Sequence, residues 1–158
     1  HLSLRRQRQM CIRDSIGAVS LEPFLGPCRV IHAIDCGPLI TTDHLAHAAL
    51  NLPPRVLVRT AKHAAQHWWT DDFSAYAPQT IEWLAERGVM LIGLDTASID
   101  PASSKTLDSH HTILRHDMRV LENLVLDDVP EGDYELIALP LALVQADASP
   151  VRAVLREL

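Results

Sequence analysis

Five short apolar, largely β-branched runs constrain this chain's fold more than any other feature: CRVIHAI from Cys28, RVLVRT from Arg55, VMLIGLD from Val89, YELIALPL from Tyr134 and VRAVL from Val151. Each has the length and composition of a buried strand, although in the last a strand and a helix are hard to separate by pattern alone. Helical signals lie between them. Thr42 to Leu50 opens with Thr and Asp where an N-cap belongs, and Pro78 to Arg87 has proline in its first turn and stops at Gly88. A third helix is expected around His116 to Leu124, where Met118, Leu121 and Val125 recur at spacings of three and four and predict one buried stripe. Strands alternating with helices imply an α/β domain.

With 158 residues, 47% of them hydrophobic, the chain can bury one real core and is short for two. Its net charge of -6 argues against a nucleic-acid partner, because tracking phosphates requires a concentrated positive stripe. Residues 1 to 15, HLSLRRQRQMCIRDS, depart from the rest: four arginines against one aspartate give a net of +3 and leave -9 for the other residues. The segment shows no helical or alternating period and joins abruptly at Ile16. It reads as the translation of a sequencing adapter, with a natural disordered basic tail as the alternative. No apolar run follows the arginines as a secretion signal requires, and no stretch approaches the length of a membrane span. Cys11, Cys28 and Cys36 form an odd set without C-x-x-C spacing, so neither a disulfide framework nor a cysteine zinc site is indicated. A cytoplasmic protein is expected.

The densest set of metal-capable side chains is His110, His111, His116 and Glu122. In one uninterrupted helix, His110 and Glu122 would stand about 18 Å apart at 1.5 Å per residue, too far to share a site. The pair works only if the chain bends between them, with His110 in an irregular segment before the helix that carries Glu122. Glu122 lies between Leu121 and Leu124 in apolar text, where a carboxylate is costly to bury unless paired or bound to a cation. Its bland alternative is an exposed helix-face glutamate. His63 and His67 stand at i, i+4 and His44 and His47 at i, i+3, but no glutamate follows His63, and an amphipathic turn explains these positions equally well. Trp68 and Trp69 read as cover for a core edge or a subunit contact. Asp127, Asp128, Glu131 and Asp133 surround Gly132 and read as a solvated turn. Neither a G-x-S-x-G serine nor a glycine-rich phosphate loop occurs, which disfavours serine hydrolases and nucleotide enzymes.

Two blocks carry a family resemblance: IGAVSLEPFLGPCRVIH from Ile16, and the long run from Gly88 through GVMLIGLDTASIDPASSKTLDSHHTILRHDMRVLENLVLDDVPEGDYELIALPLALVQADASPVRAVL. They resemble the bacterial kynurenine formamidases of the cyclase-like metal hydrolase family, over essentially everything from Ile16 onward. The resemblance implies a swivelling β/β/α domain with a mixed, partly closed sheet, here missing its N-terminal part. It implies hydrolysis of N-formyl-L-kynurenine to kynurenine and formate in tryptophan breakdown, two zinc ions per active site, and a homodimer or larger oligomer. A histidine in the family's D-x-H-H segment and a glutamate twelve residues later are metal ligands, and they match His110 and Glu122.

The family's remaining site lies in an upstream segment, H-x-x-x-H-x-D-x-x-x-H, that supplies two histidines, a bridging aspartate and the acid/base histidine. These 158 residues contain no such segment. The expectation is therefore an incomplete zinc site, no catalytic acid/base on this chain, and residues 16 to 158 as the C-terminal part of a formamidase. Asp117 stands where many relatives have glycine after the third histidine, a change that speaks against an easy bend. Two other readings are an interaction or oligomerisation module without catalysis, and a cyclase-like hydrolase of another amide or cyclic imide.

Overall fold

The computed structural model describes residues 15–65 and 70–158. The reading of residues 1 to 15 therefore lies, apart from Ser15, outside the described residues, as do His67, Trp68 and Trp69. All five expected strands form: β1 (Leu25–His32), β3 (Arg55–Arg59), β5 (Leu91–Leu94), β7 (Gly132–Ile137) and β8 (Val154–Glu157). Three further strands appear: a pair of two-residue strands, β2 (Leu39–Ile40) and β4 (Ala75–Tyr76), and the three-residue β6 (Arg119–Leu121). The helices are α1 (Thr42–Leu45), continued by a 3-10 turn over Ala46–Ala48, α2 (Pro78–Ala85) and α3 (Asp108–Arg115).

A six-stranded mixed sheet runs in the order β6-β5-β3-β1-β7-β8, so the expected α/β class holds. The first four strands are mutually parallel, and β7 and β8 add antiparallel neighbours beyond β1. Each strand of the parallel half is nearly continuous apolar text because both sheet faces are covered. The period-two alternation sorts its side chains into two cores. Ile31, Val56, Val58, Ile92 and Leu94 pack with Ile81, Leu84 and Ile113 of α2 and α3, whereas Val30, Leu57 and Leu91 pack with Phe24, Leu124 and Leu136 on the other face. Each fully buried Leu or Ile contributes about 1.5–3 kcal/mol.

Two helices start where expected, at Thr42 and Pro78, although the first is α-helical only to Leu45 and not to Leu50. Thr41 caps α1 in a reciprocal capping box with His44, whose Nδ1 accepts from the Thr41 N–H at 3.0 Å. Gly88, at φ +81, follows α2 in the left-handed conformation that glycine adopts without strain.

The helix expected around His116 to Leu124 does not form. The helix lies upstream, over Asp108–Arg115, and Arg119–Leu121 is strand. The reason is a Schellman-type stop: Asp117 adopts φ +51, its N–H reaches the Leu114 carbonyl at 3.3 Å, and the Met118 N–H reaches that of Ile113 at 3.0 Å. Met118 then packs with Ile113 in the helix-side core while Leu121 packs in the opposite one. Of the three apolar residues read as one stripe, two serve opposite faces of a sheet and the third, Val125, is exposed.

Candidate metal centre

The early stop of α3 puts His110 and Glu122 side by side. His110 sits in the helix's first turn and Glu122 directly follows β6, with His110 Nε2 3.8 Å from Glu122 Oε1. The expected bend is present, but in the reverse order: His110 is helical, and Glu122 leaves a strand. Asp117, whose side chain was expected to hinder the turn, makes it.

A third residue organises the pair. The N-cap of α3 is Leu107, at φ +51 and without a side chain able to cap. Asp100 supplies the missing acceptor from the preceding loop, taking hydrogen bonds from the N–H groups of Ser109 at 2.9 Å and His110 at 3.1 Å. Its Oδ2 also lies 2.6 Å from His110 Nδ1. A carboxylate at that distance makes Nδ1 the donor, so the lone pair of neutral His110 resides on Nε2, on the side of Glu122. Glu122 is itself held by the Ile99 N–H, 2.9 Å from Oε1.

The backbone after Glu122 is fixed as well. Asn123, at φ +58, donates its N–H to the Thr96 carbonyl at 2.9 Å, and the Leu124 N–H reaches Leu94 at 3.1 Å. Leu124 can approach β5 this closely because residue 93 is glycine; a Cβ there would lie 2.8 Å from Leu124 Cδ1 and 2.6 Å from Leu57 Cδ2.

Burial pushes the Glu122 carboxyl above its ordinary range, against the Ile99 N–H and the nearby His110, which pull it down. Burial opposes the charged form of His110, but the Asp100 hydrogen bond and the charges of Glu122 and Asp100 outweigh it and raise its pKa. Burial likewise opposes ionised Asp100, and the hydrogen bonds from His110 and Ser109 prevail and hold it below the usual range. The three form one electrostatically coupled, preorganised group.

This donor set fits part of a divalent-metal site. At metal-ligand distances of about 2.0–2.2 Å and a near-tetrahedral angle, two atoms bound to one ion lie roughly 3.4 Å apart, a few tenths less than Nε2 and Oε1 are here. A carboxylate on the far nitrogen of a ligating histidine is the usual outer partner of such a ligand. Among the described residues no group of three or more His, Cys, Asp or Glu comes together around one position, so the set is partial.

Beside the pair opens a cleft of about 910 Å³, lined in part by Thr60, Lys62, Asp95, Thr96 and Asn123. It lies beyond the carboxyl ends of β3 and β5, where open α/β sheets bind ligands. His110 and Glu122 do not line it; its wall reaches Asn123, the neighbour of Glu122. Asp95 shapes this edge by accepting from the N–H groups of Thr60 and Ala61 and from the Thr60 hydroxyl at 2.7–3.0 Å.

The other histidines stay apart. His44 is spent on its cap, His47 pairs with Glu131 at 3.0 Å, and His63 stands in a bend, exposed, 3.5 Å from Asp127. The acidic turn is exposed in part, as expected, but three of its four carboxylates are tied down: Asp127 accepts from the Ala64 N–H, Glu131 from the His32 N–H and Asp133 from Arg29. Cys28 is fully buried, and that burial pushes its thiol up to about 12, which leaves it inert as a nucleophile.

Residues 5–101 match the family described as "Putative cyclase". A kynurenine formamidase of Bordetella petrii is 85% identical over 144 residues, which cover 91% of this chain and 69% of that protein. The chain belongs to the cyclase family, among its kynurenine formamidases. Cyclase-family structures share its fold. A "potential metal-dependent hydrolase with cyclase activity" superimposes with a TM-score of 0.81 at 27% identity, covering 94% of this chain and 74% of that one. A "predicted metal-dependent hydrolase from Bacillus stearothermophilus" gives 0.76 at 29% identity, covering 87% and 66%. This member of the family is a hydrolase by kinship, and its neighbours' descriptions support a metal.

The sequence singled out His110 and Glu122, which the fold brings to 3.8 Å of each other, but not Asp100. The available signal was slight, an aspartate before a proline ten residues ahead of His110. Asn123 offered a better one, since asparagine is among the few residues that tolerate a positive φ.

Proposed function

We propose that this chain carries part of the active site of a zinc-dependent kynurenine formamidase, which hydrolyses N-formyl-L-kynurenine to L-kynurenine and formate in the cytoplasm, as a homodimer. The observation that carries this reading is the His110–Glu122 pair, preset by Asp100, in a chain 85% identical to a kynurenine formamidase. His110 would ligate through Nε2 and Glu122 through its carboxylate. Bound zinc would supply a water of lowered pKa and polarise the formyl oxygen, which a poorly electrophilic formamide requires.

The chain's own groups act by holding and orienting. Asp100 keeps Nδ1 of His110 occupied, so this ring is not the acid that protonates the leaving arylamine. The Ile99 N–H fixes Oε1 of Glu122, the oxygen that faces His110 Nε2, and leaves that oxygen a further lone pair for a cation. Asn123 and Thr96 join the pair to the cleft, which has room for an aromatic amino acid. The acid/base histidine and the other ligands belong, by family pattern, to the H-x-x-x-H-x-D-x-x-x-H segment, and residues 16 to 158 are the part of the domain that follows it.

Among the described residues two ligands fall short of the three or four that stable zinc sites use, so the expected outcome for these 158 residues alone is weak zinc binding and little hydrolysis. Sequencing the source DNA upstream of Ile16, restoring whatever in-frame segment it encodes and assaying formyl-kynurenine hydrolysis tests the reading. Zinc-dependent turnover that Glu122→Ala abolishes supports it. A restored protein that contains the histidine segment and binds zinc yet leaves formyl-kynurenine untouched overturns it.

A further inference from the structure

The environment of Asp100 goes beyond what the ligand pair requires. Its side chain is 3% exposed and collects three hydrogen bonds, from the Ser109 N–H, the His110 N–H and His110 Nδ1. The first two cap a helix whose own N-cap position, Leu107, cannot. The third fixes a ring. One carboxylate thus ties the position of α3 to the orientation of the imidazole that it carries.

Free of such a bond, a histidine in the first turn of a helix can rotate about its side-chain torsions and exchange tautomers. Here the 2.6 Å contact selects the Nδ1–H form and holds the plane of the ring while Nε2 stays 3.8 Å from Glu122. The strained turns around the site work in the same direction. Leu107 at φ +51, Asp117 at φ +51 and Asn123 at φ +58 bracket the two side chains, and left-handed backbone at non-glycine residues persists where surrounding contacts over-determine it.

We infer that Asp100 is a positioning residue that presets His110 as an Nδ1–H tautomer with Nε2 turned to Glu122 before any metal arrives. The inference deepens the proposed metal site and rests on that reading only for its consequence, the affinity for zinc. The preset ring itself is a property of the metal-free chain.

Nitrogen-15 NMR of the histidine rings in the metal-free 158-residue chain, recorded above the titration of His110, reads the tautomer directly. The His110 signals are assigned with His110→Gln. The expected spectrum shows protonated Nδ1 and bare Nε2 at His110, and a mixture of tautomers in Asp100→Asn and Asp100→Ala. A His110 protonated on Nε2 in the unsubstituted chain overturns the inference, and needs no variant to fold. So does an unchanged tautomer in a folded Asp100→Ala.

Zinc titration at neutral pH, followed at the His110 ring, gives the second readout. Asp100→Asn is expected to weaken zinc about 10- to 100-fold, as loss of an outer-sphere partner does. Asp100→Ala in a His110→Gln background, titrated calorimetrically, is expected to leave any residual zinc affinity unchanged while still costing thermal stability through the lost cap. If the tautomer is fixed as expected but zinc does not perturb His110 Nε2, the positioning role stands and the metal reading fails.

Discussion

Two histidine–carboxylate pairs in this molecule have similar separations and differ in everything that makes a site. His47 Nε2 meets Glu131 at 3.0 Å with side chains 50% and 36% exposed; it joins the turn after α1 to the loop ahead of β7. His110 Nδ1 meets Asp100 at 2.6 Å, and the carboxylate is buried and also accepts from two backbone N–H groups. The ring's second nitrogen then faces another carboxylate, Glu122. Proximity of a histidine to an acid is common on protein surfaces and contributes little. A site requires a ring held by one nitrogen, with the other free to bind and a second acid within one ion's span.

The largest effect that could break this comparison is on metal affinity. His110→Ala and Glu122→Ala are each expected to weaken zinc binding by about 100-fold or more, since removing a ligand should cost at least as much as the upper range for removing an outer partner. His47→Ala, the matched surface change, is expected to leave zinc binding as it was. Isothermal titration of the three variants decides it. Equal losses in all three would mean that zinc binds diffusely and that the geometry around His110 confers nothing.

Much of the fold was legible in the sequence because β3 and β5, at the centre of the parallel half, are buried on both faces and advertise themselves as nearly unbroken apolar runs. The helix from Pro78 was legible from its proline and Gly88. The region from His116 to Leu124 was misread for a specific reason. A three-residue strand cannot impose a period of two, and Met118 and Leu121, which serve opposite cores, happen to fall at helical spacing. At the site, Glu122 stood out as a carboxylate in apolar text, and the need for a bend before it could meet His110 was deducible from helix rise alone. Asp100 was not. It is one of 20 acidic residues, and its role depends on a loop folding back to cap a helix that starts eight residues later, which no local pattern encodes.

A smaller effect tests the turn that brings the pair together. Asp117 holds φ +51 at the C′ position of α3, a conformation that costs a side chain up to about 1–2 kcal/mol relative to glycine, with aspartate at the tolerant end. Asp117 Oδ1 also meets Arg119 Nη1 at 2.9 Å, an exposed pair of small worth. Asp117→Gly should therefore stabilise the fold by about 0.5–1 kcal/mol in urea denaturation and leave the His110–Glu122 distance unaltered. A loss of stability would show that the aspartate side chain, and not the backbone, holds this turn.

The smallest effect sharpens the surface side of the comparison. The Arg29 guanidinium, hydrogen-bonded to Asp133 at 2.6 and 2.8 Å, holds that carboxyl below its usual range. A carboxylate depressed in the folded state contributes stability that is complete above the unfolded pKa, near 4, and fades as pH falls through the lower folded value. Arg29 also donates to the Ala48 and Leu50 carbonyls, and those bonds do not titrate. Arg29→Met should therefore cost stability at every pH, with the cost shrinking only as the pH drops below about 4. Because Asp133 is half exposed and screened, the shrinkage should stay within roughly 0.2–1 kcal/mol and diminish further in high salt. Denaturation curves for both chains at pH 7 and pH 3 measure it. A cost that is identical at the two values would assign the whole contribution of Arg29 to its carbonyl bonds, and the latch on this side of the molecule would then be held by backbone acceptors alone.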